Sequence, residues 1–403
     1  MTQKTQPSEK LTIGVLYGFR ALMVLFVCNY HFWQQSWLAQ QVTVFGQYIN
    51  FDFFTRSGYL FVDGMLLLSG FLLYLPHAQA AEYATLAPDT KTFYEKRFIR
   101  IVPSYLASVL IMLIFAIING VYINASEGIA DVIAHLSFTF TFFQSTYHYT
   151  PLNSVLWTIG IEAQFYLIFP LIVQCMRKKP ALTLSLMALA GLAFRAALGF
   201  AQSDLSMLVN QLPSFLDVYA LGMFGAILYI RLRKWAEIKP VKTWAAALSV
   251  PLFVLSVFVL LRIFRFQSSC GSDGMDALRR SQWIVRLPLA VSILAAMLSA
   301  AFLPRVLQKL LDNKLMRFLS VISMNLYIWH QVLAANFIRP FFPDTLHTDT
   351  AMQAAYTLTC YSLSILTAMA FTYGLEHPAA KWIQKRLNRR RTQHERSTTF
   401  ETR

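Results

Sequence analysis

The chain has 403 residues, of which 56% are hydrophobic and only 14% charged, yet it carries a formal charge of +15. A soluble domain is about 45–50% apolar and about 25% charged, so the composition excludes a water-soluble particle, a disordered chain and, with four cysteines, a disulfide scaffold. The surplus charge reads as nucleic-acid binding or as basic loops on the cytoplasmic side of a membrane, and its placement decides between them.

Ten stretches reach the roughly 20 apolar residues that a bilayer crossing needs: 13–33, 58–76, 98–119, 152–174, 181–200, 211–230, 243–264, 284–303, 316–338 and 353–374. They predict an all-α polytopic membrane protein with both termini cytoplasmic. Residues 1–12 form a cytoplasmic segment, 13–376 the transmembrane domain and 377–403 a basic cytoplasmic tail. An eleventh stretch, 129–143, is short and carries Asp131 and His135, so it reads as re-entrant or interfacial. With ten spans the inner side receives 24 of the 35 basic residues and the outer loops five. Making 129–143 cross would put Arg177, Lys178 and Lys179 outside, against the positive-inside rule. The charge is therefore mostly topology, with Lys385–Arg391 placed to touch anionic lipid, and a nucleic-acid partner loses its support. The first stretch is too long for a signal peptide and contains Arg20 and His31. No two cysteines share an oxidising compartment, so no disulfide is expected. The sequon Asn124-Ala125-Ser126 falls in an outer loop.

Ionisable residues inside a bilayer are costly and point to function by default. Here they are Arg20, His31, Asp63, Arg100, Glu162, Arg195, Asp217, Arg262, Arg286, Arg317 and His330. At 1.5 Å per residue, Arg20 falls in the inner half with Arg97 and Arg100 at the cytoplasmic mouth, while His31, Asp63, Glu162, Arg195, Asp217 and His330 lie between the middle and the outer third. Each has a plainer reading. Arg262, Arg286 and Arg317 sit near helix ends and snorkel to the interface. Arg195 and Asp217 are either a structural bridge or an acceptor site, with equal weight. His330, next to Trp329 and near Tyr327, leans towards an aromatic-belt residue. Glu162 is hardest to dismiss, because a mid-membrane carboxylate needs a partner or a protonation role. Depth alone leaves transport and transfer across the bilayer both open.

The same residues carry a resemblance. Gly18-Phe19-Arg20-Ala21 through Tyr30-His31-Phe32 is similar to an Arg-x10-His helix, and Phe61-Val62-Asp63-Gly64 leading to Leu68-Ser69-Gly70-Phe71 to a Gly-Val-Asp…Leu-Ser-Gly-Phe helix. The run Arg97-Phe98-Ile99-Arg100-Ile101-Val102-Pro103 resembles Arg-x-x-Arg-x-x-Pro. Leu156-Trp157-Thr158 through Glu162-Ala163-Gln164-Phe165-Tyr166 resembles Trp-Ser-Leu-x-x-Glu-x-Gln-Phe-Tyr, and Ser323-Met324-Asn325-Leu326-Tyr327-Ile328-Trp329-His330 resembles Ser-Tyr-x-x-Tyr-Leu-x-His. Glu376-His377-Pro378 stands where Glu-Arg-Pro is expected. Six such segments in this order resemble the integral-membrane acyltransferase 3 family, whose bacterial members O-acylate cell-envelope polysaccharides. The chain departs from the pattern at Thr158, Phe61, Met65-Leu66 and His377, none of which removes an ionisable group from the first, third or fourth spanning helix. About 30 residues follow the last apolar stretch, so the stand-alone membrane form is expected.

The resemblance implies a cytoplasmic acyl-CoA donor, acetyl-CoA first among them, and a carbohydrate or glycolipid hydroxyl as acceptor outside the membrane; it calls for no metal. Coenzyme A is polyanionic and guanidinium groups grip phosphate in pairs. Arg97 and Arg100 are accordingly expected to clamp the phosphates and Arg20 to steady the pantetheine end. A sugar hydroxyl needs a base, which makes His31 the candidate base or transient acyl carrier. Glu162 is expected to orient His31 and stabilise its imidazolium. Asp63, Ser69, Arg195, Asp217, Tyr327 and His330 are the candidate substrate-binding residues. The eleven residues between Arg20 and His31 span roughly 16 Å of helix, the length of an extended donor arm. A secondary transporter or flippase is the alternative, and it lacks the internal repeat that such proteins carry.

Overall fold

The computed structural model describes residues 11–201 and 205–401. Lys4, Lys10 and Arg403 lie outside these residues, and the side chains of Lys239, Lys242, Arg390, Arg391 and Arg396 are not described. The principal helices are α1 (Val15–Ser36), α2 (Phe61–Glu82), α3 (Thr90–Ile118), α4 (Ala125–Leu136), α5 (Trp157–Lys178) and α6 (Pro180–Ala201). They continue with α7 (Leu216–Ala236), α8 (Lys239–Ser272), α9 (Met275–Phe302), α10 (Lys314–Val332), α11 (Thr350–Phe371) and α12 (His377–Glu401). Ten helices among the described residues are long and apolar enough to cross a membrane, and they coincide with the ten predicted stretches.

The eleventh stretch is not among them. The helix α4 has 12 residues, about 18 Å of rise, which is too short to cross. Its polar residues anchor it: the Asp131 carboxylate accepts from Tyr122 and Thr150 hydroxyls, each at 2.8 Å. His135 Nδ1 is 3.1 Å from the same carboxylate, and its ring stacks on Phe140 at 4.1 Å. Asn124 is not in a loop but caps α4, its side chain accepting the Glu127 N–H at 2.9 Å.

Two regions depart from the sequence reading. The helices α8 and α9 overrun their apolar windows, so Arg265 and Cys270 are helical rather than in an outer loop. Gln267 and Ser281 extend them by hydrogen bonding: Gln267 Nε2 donates to the Tyr59 hydroxyl at 2.7 Å and Ser281 Oγ to Gln267 Oε1 at 2.9 Å. The second departure is a small antiparallel hairpin after α1, β1 (Gln41–Val44) with β2 (Gln47–Asn50). Its turn places Phe45 and Gly46 at φ of 49° and 76°, the left-handed pair that a two-residue hairpin turn requires.

Helix packing here draws on shape, because lipid is as apolar as leucine. The helices α2 and α7 approach backbone to backbone at Gly70 and Gly222; a Cβ on Gly222 would stand 2.2 Å from the Leu67 carbonyl oxygen. Helix α1 packs on α10, α2 and α11, and α8 on α9. Most of the buried apolar side chains between Leu16 and Ala368 form one contiguous cluster, and Val15, Ala300 and Leu303 form a second. Large apolar residues such as Leu110, Ile114, Leu248 and Phe258 face outward, as a lipid-facing surface demands. All four cysteines are free thiols.

Candidate active site

Helix α1 carries Arg20 near its start and His31 near its end, and each lines a different cavity. The inner cavity, about 100 Å³, is lined by Arg20, Ser69, Arg100, Thr158, Glu162, Ser323 and Tyr327 among others. The outer cavity, about 240 Å³, is lined by Tyr30, His31, Tyr59, Asp63, Trp157, Asn210, Gln282, Arg286 and Tyr327 among others. Val62 and Tyr327 line both and so form the wall between them.

The inner cavity is a cationic pocket around one carboxylate. Ser69 Oγ donates to Glu162 Oε1 at 2.6 Å, and the Tyr166 hydroxyl, one turn along α5, donates to the same oxygen. Arg20 has Arg100 and Arg97 as repelling neighbours and Glu162 as an attracting one. Arg97 lies over the rings of Tyr166 and Phe93 at 5.7 and 5.8 Å, and its buried Nε has no hydrogen-bond partner. Three guanidiniums gather near Glu162, a donor set suited to a polyanion. A π-helical turn, Thr372–Glu376, brings Glu376 to the same end. Asn325 Nδ2 donates to Glu376 Oε2 at 2.7 Å, and Arg100 attracts that carboxylate.

In the outer cavity the His31 ring packs 5.1 Å from the His330 ring and 5.0 Å from the Tyr30 ring. His31 Nδ1 lies 2.8 Å from Gln34 Oε1. Asp63 faces this cavity and accepts from Arg286 Nε at 2.9 Å, whereas Ser69, about 9 Å further along α2, faces the inner one.

Three sequence expectations are corrected. Glu162 does not touch His31: it is level with Ser69 and belongs to the cationic pocket. Arg286 does not snorkel; it is buried, binds Asp63, donates to Ser214 Oγ at 2.9 Å and covers the Phe215 ring at 4.0 Å. His330 is no belt residue but fully buried, its Nδ1 2.6 Å from the Tyr327 carbonyl oxygen. Arg195 and Asp217 face each other, both buried, through hydrogen bonds of 2.7 and 2.6 Å. Arg195 also donates to the Ser214 carbonyl oxygen, so Asp63, Arg286, Arg195 and Asp217 form a neutral buried network around Ser214. Sequence reasoning missed Gln34, Tyr166 and Glu376 as site residues. Gln34 had an available signal, one turn beyond His31 on the same helix face. Among the described residues no cluster of His, Cys, Asp and Glu has the make-up of a metal site.

Comparison with known proteins follows these residues. The model of the family described as Acyltransferase domain matches residues 15–373. O-acetyltransferase OatA of Staphylococcus aureus strain NCTC 8325 is 25% identical over 334 residues, which cover 78% of this chain and 49% of that protein. The same protein from strain COL matches equally. ORF330 of Acidianus two-tailed virus, provisionally named an acetyltransferase, is 26% identical over 325 residues, or 80% of this chain and 82% of that protein. The chain thus spans about half the length of the curated OatA relatives it matches. No solved structure matches it.

Proposed function

The chain belongs to the Acyltransferase domain family, and from that premise we propose that it is a membrane-embedded O-acyltransferase. It moves an acyl group, acetyl foremost, from acyl-CoA on the cytoplasmic side to a hydroxyl of a carbohydrate or glycolipid acceptor of the cell envelope. The observation that supports this reading most is the pair of cavities meeting at Tyr327, one cationic and one holding His31. The resemblance to O-acetyltransferases, at 25–26% identity, points the same way.

The residues present fit a CoA donor. Arg20 and Arg100 line the inner cavity without a side-chain hydrogen bond among the described residues, and Arg97 keeps an unpartnered Nε beside them. These three would hold the phosphates and the pantetheine end, and the thioester supplies the activated acyl group. Ser69 and Tyr166 keep the Glu162 carboxylate in place by donating to it. On the other side of Tyr327, His31 takes the proton of the acceptor hydroxyl; the hydroxyl oxygen forms the ester bond as the thioester C–S bond breaks, and coenzyme A leaves as its thiolate. Aromatic rings of Tyr30, Tyr59 and Trp157 with the amides of Asn210 and Gln282 suit a sugar ring's apolar face and hydroxyls.

The test is acyl transfer by purified full-length protein in liposomes, with acetyl-CoA outside or inside and a soluble sugar acceptor on the opposite side. His31→Ala, at normal protein levels, is expected to lose at least about 10²-fold in turnover, and Arg100→Ala to raise KM for the donor. Near wild-type turnover in His31→Ala would remove His31 from the mechanism. Uptake of a labelled solute without acyl transfer would instead favour the transporter.

A further inference from the structure

A histidine acting as base needs one ring nitrogen free and the other held, and the group that holds it decides which is which. Resting on the reaction proposed above, this requirement falls on His31. Glu162 does not meet it, since its carboxylate lies in the inner cavity under Ser69 and Tyr166. The group that faces the ring is the amide of Gln34, with Oε1 at 2.8 Å from Nδ1.

The direction of that contact follows from a second one. Gln34 Nε2 donates to the Tyr30 hydroxyl at 2.9 Å, so the amide nitrogen is turned away from the imidazole and only the amide oxygen faces it. An amide oxygen accepts and never donates. The proton of the neutral ring therefore sits on Nδ1, and Nε2 keeps the lone pair. We propose that Gln34 is the positioning residue of His31, fixing the Nδ1–H tautomer, with its own amide N–H given to the Tyr30 hydroxyl. The spacing makes the device local: Tyr30 to Gln34 is i to i+4 and His31 to Gln34 is i to i+3, so all three lie on one face of α1.

The other groups around the ring leave this assignment intact. Asp63 is paired with Arg286, and Arg279 lies 3.7 Å from Asp276. His330 packs against the ring from α10, but its own Nδ1 faces the Tyr327 carbonyl oxygen at 2.6 Å, so its proton also sits on Nδ1. Tyr59 and Tyr327, on neighbouring elements, complete the titratable set of the cavity. An amide partner also differs in kind from a carboxylate. It orients the base without adding a charge beside it.

The experiment reads the tautomer directly. Full-length protein with 15N-labelled histidine, reconstituted in lipid, gives imidazole nitrogen resonances, and those of His31 are identified by their loss in His31→Gln. Wild type is expected to show a protonated Nδ1 and an unprotonated Nε2. Gln34→Met, which keeps the length and removes the acceptor, is expected to lose that pattern. Gln34→Glu restores an acceptor and keeps it. In the acyl-transfer assay Gln34→Met loses about 10²-fold in kcat with KM for the donor unchanged, and Gln34→Glu recovers to within about tenfold. A wild-type ring protonated on Nε2, or a Gln34→Met ring still protonated on Nδ1, overturns the proposal. A wild type with the expected tautomer but no acyl transfer overturns the reaction reading and leaves the tautomer assignment standing.

Discussion

Asp217→Asn is the sharpest probe of the buried charge network. Arg195 is 1% exposed and Asp217 0%, so neither has water to fall back on. Their two hydrogen bonds, at 2.7 and 2.6 Å, are charge-assisted and of the kind worth about 1.5–3 kcal/mol each. Removing the carboxylate charge strands the guanidinium, and breaking such a buried pair costs about 3–5 kcal/mol. The two estimates agree. Gly191 on α6 offers no room for relief, since even a Cβ there would come within 2.8 Å of Asp217 Oδ1. For a chain of this length the loss corresponds to a fall of about 3–10 °C in Tm, read by heating detergent-solubilised protein and measuring what remains monodisperse. The double replacement Arg195→Met with Asp217→Leu removes both charges together and is expected to recover most of the loss. An unchanged Tm in Asp217→Asn, or a double variant no better than the single, would refute the structural-bridge reasoning. Lost turnover at unchanged Tm would then return these residues to acceptor binding.

Two further outcomes follow from packing and capping. Gly222→Leu forces a side chain into the Leu67 carbonyl and should cost at least the 1–3 kcal/mol of overpacking, seen as lower yield of monodisperse protein; Gly199→Leu, whose nearest contact is at 3.9 Å, should behave as wild type. At the start of α3, Asp89 accepts the Thr92 N–H at 2.9 Å, and hydrogen bonds from Thr92 hold its carboxyl below the usual carboxylate range. A depressed carboxyl stabilises above its unfolded pKa and loses the effect as pH falls through the folded value, so the cap fails below about pH 4. Asp89→Ala should cost about 0.5–1 kcal/mol at neutral pH and nothing further in acid, measured as proteolytic nicking near residues 86–92.

The spanning helices were legible because hydropathy over a window of about 20 residues is a one-dimensional signal. The ionisable residues of α1, α2, α3, α5 and α10 that gather around the two cavities were legible for a similar reason, as charges where none should be. What stayed hidden was pairing. Nothing in the local sequence says that Arg286 meets Asp63, 223 residues away, and end-of-helix position argued for the opposite, a snorkelling side chain. Depth along one helix axis also misled for Glu162, because a single coordinate does not tell which cavity a side chain faces. The ends of α8 and α9 lay beyond the apolar windows because Gln267 and Ser281 hold them by hydrogen bonds that hydropathy counts against a span. The hairpin at 41–50 rests on one Phe45-Gly46 turn, too weak a cue beside so many apolar neighbours.

The partition made by Val62 and Tyr327 bears on the cell's energy supply. A membrane protein that handles a reactant from one compartment and delivers to the other risks short-circuiting the ion gradients stored across that membrane. Here two side chains, Val62 and Tyr327, stand between the cavity that Arg20 lines and the one that holds His31. Proton leak through Tyr327→Ala in liposomes carrying a pH gradient measures how far that partition guards the gradient.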